Sequence, residues 1–214
     1  MATEPTVFVV DDDPGVRQSL HWLLQSVNLA VEAFATAEEF LAAYDPVRPG
    51  CLLLDVRMPG MSGLVLQEKL RARNARLPII VLTGYAEVPT AVRAMKMGAM
   101  DFIEKPFSDD ALLERVFAAL SADRKAREAE AQREAAEQRL ALLTSREHEV
   151  MEGVIAGKAN KVIAIELGVG EKTVEAHRSQ VMRKLDVDSL ANLIRLVLLA
   201  RGDRENPNPS SGKS

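Results

Sequence analysis

The sequence predicts a parallel-sheet α/β domain followed by an all-helical one, on three observations. Over the first 120 residues, short apolar runs alternate with amphipathic segments, the pattern of a parallel sheet covered by helices on both faces. After them, Leu143 to Arg201 is helical in pattern throughout. The stretch between turns to Ala, Glu, Arg and Gln, with neither Gly nor Pro. A chain of 214 residues suits two modest domains.

The expected strands are Thr6–Val10, Ala30–Phe34, Cys51–Asp55, Ile79–Thr83 and Asp101–Glu104, separated by expected helices Val16–Val27, Thr36–Tyr44, Leu64–Arg73, Val88–Met97 and Asp109–Leu120. Asp13-Pro14 reads as a helix cap and first helical residue, Thr36 with Glu39 as a capping box, and Ser108 as the cap of the last helix. Ser121 to Leu142 would span roughly 33 Å as a helix. Its Ala122, Ala126, Ala129, Arg133, Ala136, Leu140 and Leu143 alternate at four and three, so a poor coiled-coil seam and a charged spacer are both open readings. Thr144 with Glu147 forms a second capping box for a helix ending near Gly157. Asn160 is expected to cap a short helix to Leu167, Gly168-Val169-Gly170 breaks the chain, and Glu171–Leu185 and Ser189–Ala200 follow.

One cysteine, Cys51, excludes an intramolecular disulfide or a multi-cysteine metal site, and is read as a small core hydrophobe. With no basic leader and no membrane-length apolar stretch, a cytoplasmic protein that does not enter membranes is expected. The net charge of −4 is uneven: residues 1–120 hold 11 Lys+Arg against 16 Asp+Glu, whereas 143–214 hold 11 against 10. Lys158 to Lys184 carries six basic residues against three glutamates, a patch able to track phosphates.

Why should the buried-looking run Cys51-Leu52-Leu53-Leu54 finish on Asp55? An unpaired charge there would lose solvation without return, so either the strand emerges at a site or Asp55 starts a turn. Ligands of open parallel sheets bind beyond the carboxyl ends of the strands, and those ends here carry Asp11-Asp12-Asp13, Asp55, Thr83-Gly84 and Lys105-Pro106. Carboxylates crowded within about 4 Å repel by a few kcal/mol at an effective dielectric near 20. Hard oxygens with open positions suit Mg²⁺, and a cation-braced carboxylate beside a lysine and a hydroxyl is equipped as a nucleophile toward phosphorus. An aspartate-nucleophile phosphatase would want a second Asp two residues on, where Val56-Arg57 stands, and no P-loop or dinucleotide fingerprint is present.

VVDDD, LLLDVRMPGMSG, IIVLTGYAEV and DFIEKPF together make residues 5–120 resemble a two-component receiver domain, which implies a flavodoxin-like (βα)5 fold. The resemblance implies that Asp55 is the phosphoacceptor; that Asp11, Asp12, Asp55 and the backbone carbonyl of Arg57 hold Mg²⁺; and that Thr83 and Lys105 engage the phosphoryl group. It also makes Phe102 the aromatic that changes rotamer. Asp13 is assigned to capping, and Gly84 to leaving space beside the acceptor. Phe rather than Tyr at the switch position leaves packing alone to report its state.

In the rear segment a short helix, a glycine-containing break and a longer basic helix make a helix-turn-helix pattern. Val174, Arg178, Val181 and Leu185 share one face; Lys172, Glu175, Ala176, Ser179 and Arg183 share the other. This segment resembles the four-helix LuxR-type DNA-binding domain, and the whole chain the NarL/FixJ response regulators, nearer FixJ. The expected DNA-contacting set is Lys172, Thr173, Glu175, Ala176, Arg178, Ser179, Arg183 and Lys184, with Gly170 replacing a common serine cap. The apolar surplus of Ser189–Ala200 exceeds what one side of a small domain can cover, so part of it should meet a partner, and the resemblance implies that this helix forms a dimer on DNA. The layout expected is a receiver at 1–120, a helical linker at 121–142, the DNA-binding domain at 143–205 and a disordered tail at 206–214. Implied partners are a sensor histidine kinase, double-stranded promoter DNA, a second copy upon phosphorylation, and RNA polymerase; the chain is expected to be a regulator and not an enzyme. Two other classes stay open: a phosphotransfer component whose rear helices bind protein, and a DNA binder with a vestigial receiver.

Overall fold

The computed structural model describes residues 4–84 and 88–202, apart from the side chain of Val88; the tail expected at 206–214 lies outside the described residues. The chain divides into two compact units, one running through Arg127 and the other starting at Glu128.

In the first unit the strands β1 (Thr6–Val10), β2 (Ala30–Phe34), β3 (Gly50–Asp55), β4 (Ile79–Gly84) and β5 (Asp101–Lys105) form one sheet in the order β2-β1-β3-β4-β5. All the pairings are parallel. Strand order reverses between β1 and β3, the place where such sheets take ligands. Period-two alternation feeds two cores. Val7, Val9, Cys51, Leu53, Ile80 and Leu82 face α1 (Pro14–Ser26) and the first turns of α5 (Asp109–Leu140), meeting Leu20, Leu24, Leu112 and Val116. Phe8, Val10, Leu52, Leu54 and Val81 face the other way, onto α2 (Ala37–Ala43), α3 (Gly63–Ala72) and α4 (Val88–Lys96) through Phe40, Leu66, Leu70 and Ala94. Leu52, Leu53 and Leu54 have no solvent exposure, and each such side chain contributes about 1.5–3 kcal/mol of transfer free energy. Asp55 is thereby carried at the end of a tightly packed strand.

The caps follow the sequence with one variation. Asp13 Oδ1 accepts from the Gly15 and Val16 amides, and Ser108 Oγ accepts from the Ala111 amide. Thr36 Oγ1 accepts from the Glu39 amide, but the Glu39 carboxylate takes the Ala35 amide instead of closing the box on Thr36.

The linker is not a separate element. α5 runs unbroken for 32 residues, and its middle is built into the first unit. Asp123 is buried, accepts the Gly50 amide at 2.9 Å and pairs with Arg127, whose guanidinium donates to the carbonyls of Pro46, Val47 and Arg48. Of the alternating residues, Ala136, Leu140 and Leu143 belong to the core of the second unit, whereas Ala126 and Ala129 are exposed.

The second unit adds α6 (Ser145–Ile155), α7 (Asn160–Leu167), α8 (Glu171–Lys184) and α9 (Leu190–Arg201) around Val150, Met151, Ile163, Val174, Val181, Leu185, Leu193 and Val197. Thr144 and Glu147 complete their capping box. Asn160 does not cap α7: Ala159 holds that position without a side-chain bond, and the Asn160 side chain is used elsewhere. Gly168 ends α7 at φ 64, where the absence of a Cβ removes the left-handed penalty. No helix among the described residues is long and apolar enough to cross a membrane.

Candidate phosphoacceptor site and nucleic-acid face

The carboxyl ends of β1, β3, β4 and β5 bring together Asp11, Asp55, Thr83 and Lys105, as the sequence predicts. Asp11, Asp55 and Thr83 are all buried. The Lys105 ammonium donates to Asp11 Oδ2 at 2.6 Å and to Asp55 Oδ1 at 2.7 Å. The other oxygens are tied by the backbone: Asp11 Oδ1 accepts the Asp13 amide at 3.0 Å, and Asp55 Oδ2 the Arg57 amide at 2.6 Å. Arg17 Nη1 donates to the Asp11 carbonyl, a support that nothing in the sequence singles out. Thr83 Oγ1 donates to the Gly84 carbonyl at 3.4 Å, a long bond that leaves the hydroxyl easily redirected. Among the described residues no atom lies within 4 Å of where a Cβ on Gly84 would stand, whereas a Cβ on Gly63 would lie 2.1 Å from the Asp55 carbonyl oxygen. Asp12 stands exposed at the same strand end, and Phe102 is 39% exposed on β5.

Two carboxylates against one ammonium leave a negative surplus. Burial pushes the Asp55 carboxyl up from its ordinary value, against the pull of the Lys105 hydrogen bond. Burial alone would depress the Lys105 ammonium, but its bonds to Asp11 and Asp55 hold it above its ordinary value. No group of three or more His, Cys, Asp or Glu side chains able to cage a metal exists among the described residues. The donor set still fits a cation that keeps its own waters: hard oxygens from Asp11 and Asp55 converge on one small positive group, the Lys105 ammonium. Beside the site a groove of about 410 Å³ runs between α1 and the β5–α5 loop, lined by Val16, Ser19, Leu20, Leu23, Pro106 and Phe107.

On the second unit, α8 exposes Lys172, Thr173, Glu175, Ala176, Ser179 and Arg183. Two of the expected contacts are engaged inside the unit. Arg178 Nη1 donates to Asn160 Oδ1 at 2.6 Å, locking α8 to α7. Lys184 Nζ donates to Glu147 Oε2 at 2.7 Å and to the Leu142 carbonyl at 3.2 Å, locking α8 to the start of α6. Glu147 is buried, and its carboxyl is held down to about 2 by Lys184 and then by the Thr144 amide.

An aspartate-and-lysine site at the switch point of a (βα)5 sheet, joined to a helix-turn-helix unit, defines a response-regulator transcription factor, and not an enzyme. Residues 7–117 match the response regulator receiver domain and residues 141–197 the bacterial regulatory proteins of the luxR family. The chain belongs to the NarL/FixJ response regulators, nearer FixJ. It is 47% identical over 194 residues to the transcriptional regulatory protein FixJ of Azorhizobium caulinodans, covering 91% of this chain and 92% of that one. It is 42% identical over 200 residues to FixJ of Bradyrhizobium diazoefficiens, covering 94% and 98%. Among solved structures, the response regulator StyR superposes with a TM-score of 0.84 at 47% identity, covering 91% of this chain and 98% of StyR.

Proposed function

We propose that Asp55 accepts a phosphoryl group from a sensor histidine kinase, and that this controls pairing of the chain and its grip on double-stranded promoter DNA. The observation that carries the reading is the double engagement of Lys105 by Asp11 and Asp55 at the end of a fully buried strand. An Asp55 carboxylate oxygen attacks phosphorus, the P–N bond of the donor phosphohistidine breaks, and its electron pair leaves with the imidazole. Mg²⁺, held by Asp11, Asp12, Asp55 and the Arg57 carbonyl, would neutralise charge on the phosphoryl oxygens. Lys105 then turns from the carboxylates to a phosphoryl oxygen, and the Thr83 hydroxyl from the Gly84 carbonyl to another. Phe102 moves into the space Thr83 leaves. The groove beside Pro106 and Phe107 is open to the donor kinase.

Val92 and Met95 on α4, Met100 in the turn after it and Phe102 on β5 are exposed apolar side chains, available for pairing of receivers. Leu190, Leu198 and Leu199 are likewise exposed on α9 and suit pairing of the DNA-binding units. Lys172, Thr173, Glu175, Ala176, Ser179 and Arg183 are the DNA-facing set. Arg178 and Lys184 hold α8 in place rather than reach phosphates. Such a role belongs in the cytoplasm, where promoter DNA and RNA polymerase are, the polymerase being the further partner of the bound dimer.

Incubation with acetyl phosphate and Mg²⁺ should put acid-labile phosphate on the wild-type chain and none on Asp55→Asn. DNA-fragment retardation should tighten with labelling. Label equal on both chains would overturn the assignment.

A further inference from the structure

We infer that Gln67 is a positioning residue that carries the state of Asp55 through α3 to α4, a second route beside the Thr83–Phe102 switch. The inference depends on the phosphorylation reading above. α3 begins in close contact with the acceptor: the Gly63 amide donates to the Val56 carbonyl at 3.1 Å, and the missing Cβ lets the backbone press on the Asp55 carbonyl. Rigid-body movement of the β3 end is therefore felt at the first residue of α3. Gln67 follows about one turn later. It is buried, and its Nε2 donates to the Ala94 carbonyl of α4 at 2.8 Å. That carbonyl also accepts the Ala99 amide at 3.0 Å and the Met97 amide at 3.2 Å, in the turn where Gly98 ends the helix at φ +94. The bond thus holds α4 at its C-terminal end, beside buried Ala94, while Val92 and Met95 of the same helix are exposed.

Gln67 is a poor choice for packing alone. Its Oε1 is buried without a hydrogen-bond partner among the described residues, a desolvation cost that a leucine in the same apolar surroundings would not carry. A residue that weakens the core while fixing one helix to another sets position, and α4 is the element whose outer face must change for pairing.

The test compares full-length wild type, Gln67→Leu and Gln67→Met by hydrogen exchange of the segment 91–97, with and without acetyl phosphate plus Mg²⁺, alongside urea unfolding and acid-labile label. In the wild type, labelling should alter the exchange rate of that segment. In both variants the ratio of labelled to unlabelled rates should shrink by about threefold or more, with label unchanged and the urea midpoint equal or higher. The same ratio in wild type and variants, with label intact, overturns the route and leaves the phosphorylation reading standing. Loss of the ratio only in step with a fallen urea midpoint assigns Gln67 to packing and overturns it too. A wild type that takes no label removes the reading and the route together.

Discussion

Each unit sets a lysine against a buried carboxylate, and the two arrangements push acidity in opposite directions. In the helical unit Glu147 meets one ammonium, one backbone amide and one hydroxyl, from Lys184 and Thr144, and its carboxyl is held down to about 2. In the sheet unit Asp55 shares its ammonium with Asp11, and burial raises its carboxyl despite the lysine. One carboxylate matched by one ammonium is framework; a surplus carboxylate at a strand end is stored repulsion, which a cation or a phosphoryl group can relieve. The difference predicts how each hub responds to losing its carboxylate.

The largest contrast should come from Asp55→Asn. Phosphate label should fall to background, yet unfolding free energy should rise or stay level to within about 1 kcal/mol, because Asp11 then has Lys105 to itself. Urea denaturation read beside labelling checks both halves. A marked loss of stability would make the sheet hub framework as well and break the comparison.

Location alone does not explain the contrast, since the sheet unit holds a framework pair of its own. Asp123 is balanced by Arg127 and also receives the Gly50 amide. Asp123→Ala should cost about 2 kcal/mol, less than for a fully buried pair because Arg127 is partly solvated, and should leave labelling of Asp55 intact. Equilibrium unfolding followed at the sheet unit measures it.

A smaller effect is expected at the helical hub. Thr144→Ala removes the cap hydroxyl and should cost about 1 kcal/mol. The pH dependence carries a definite sign. A carboxyl whose folded value is depressed from 4.5 to about 2 stabilises the fold fully above its unfolded value, and that contribution disappears as pH falls through the window between them. Thermal unfolding of the helical unit should weaken across that interval, and Glu147→Gln should flatten the dependence.

The hub at Asp55 was legible in the sequence, whereas of the framework pairs only the Thr144–Glu147 capping box was, for a physical reason. Buried strands are continuous apolar runs, so an aspartate ending Cys51-Leu52-Leu53-Leu54 violates its surroundings visibly, and Asp11, Thr83 and Lys105 stand at equivalent ends. Asp123 and Arg127 form an i, i+4 pair in a run already dense with Glu and Arg, where nothing local distinguishes a buried pair from a solvated one. Their carbonyl partners at 46–48 lie some eighty residues earlier in the chain. Gln67 on a helix reads as surface, and Asn160 reads as a cap until Arg178 claims its side chain. Lys184 sits in a basic helix where a phosphate contact is the natural expectation; only the fold brings Glu147 to it.

That last pair of alternatives yields the smallest and most discriminating measurement. Lys172 is exposed at the start of α8, and Lys184 is bonded to Glu147 and the Leu142 carbonyl at its end. Each phosphate contact contributes roughly 0.9 to the slope of log affinity against log salt concentration on duplex DNA. Lys172→Ala should therefore lower the slope per subunit by about that amount while leaving thermal stability unchanged. Lys184→Ala should do the reverse: the slope stays, and the thermal midpoint falls because a buried carboxylate loses its counter-charge. Titrations of one DNA fragment at several salt concentrations distinguish the two. If Lys184→Ala lowered the slope without touching stability, the wild-type ammonium would be leaving Glu147 for a phosphate, and the helical hub would switch as proposed for the one at Asp55.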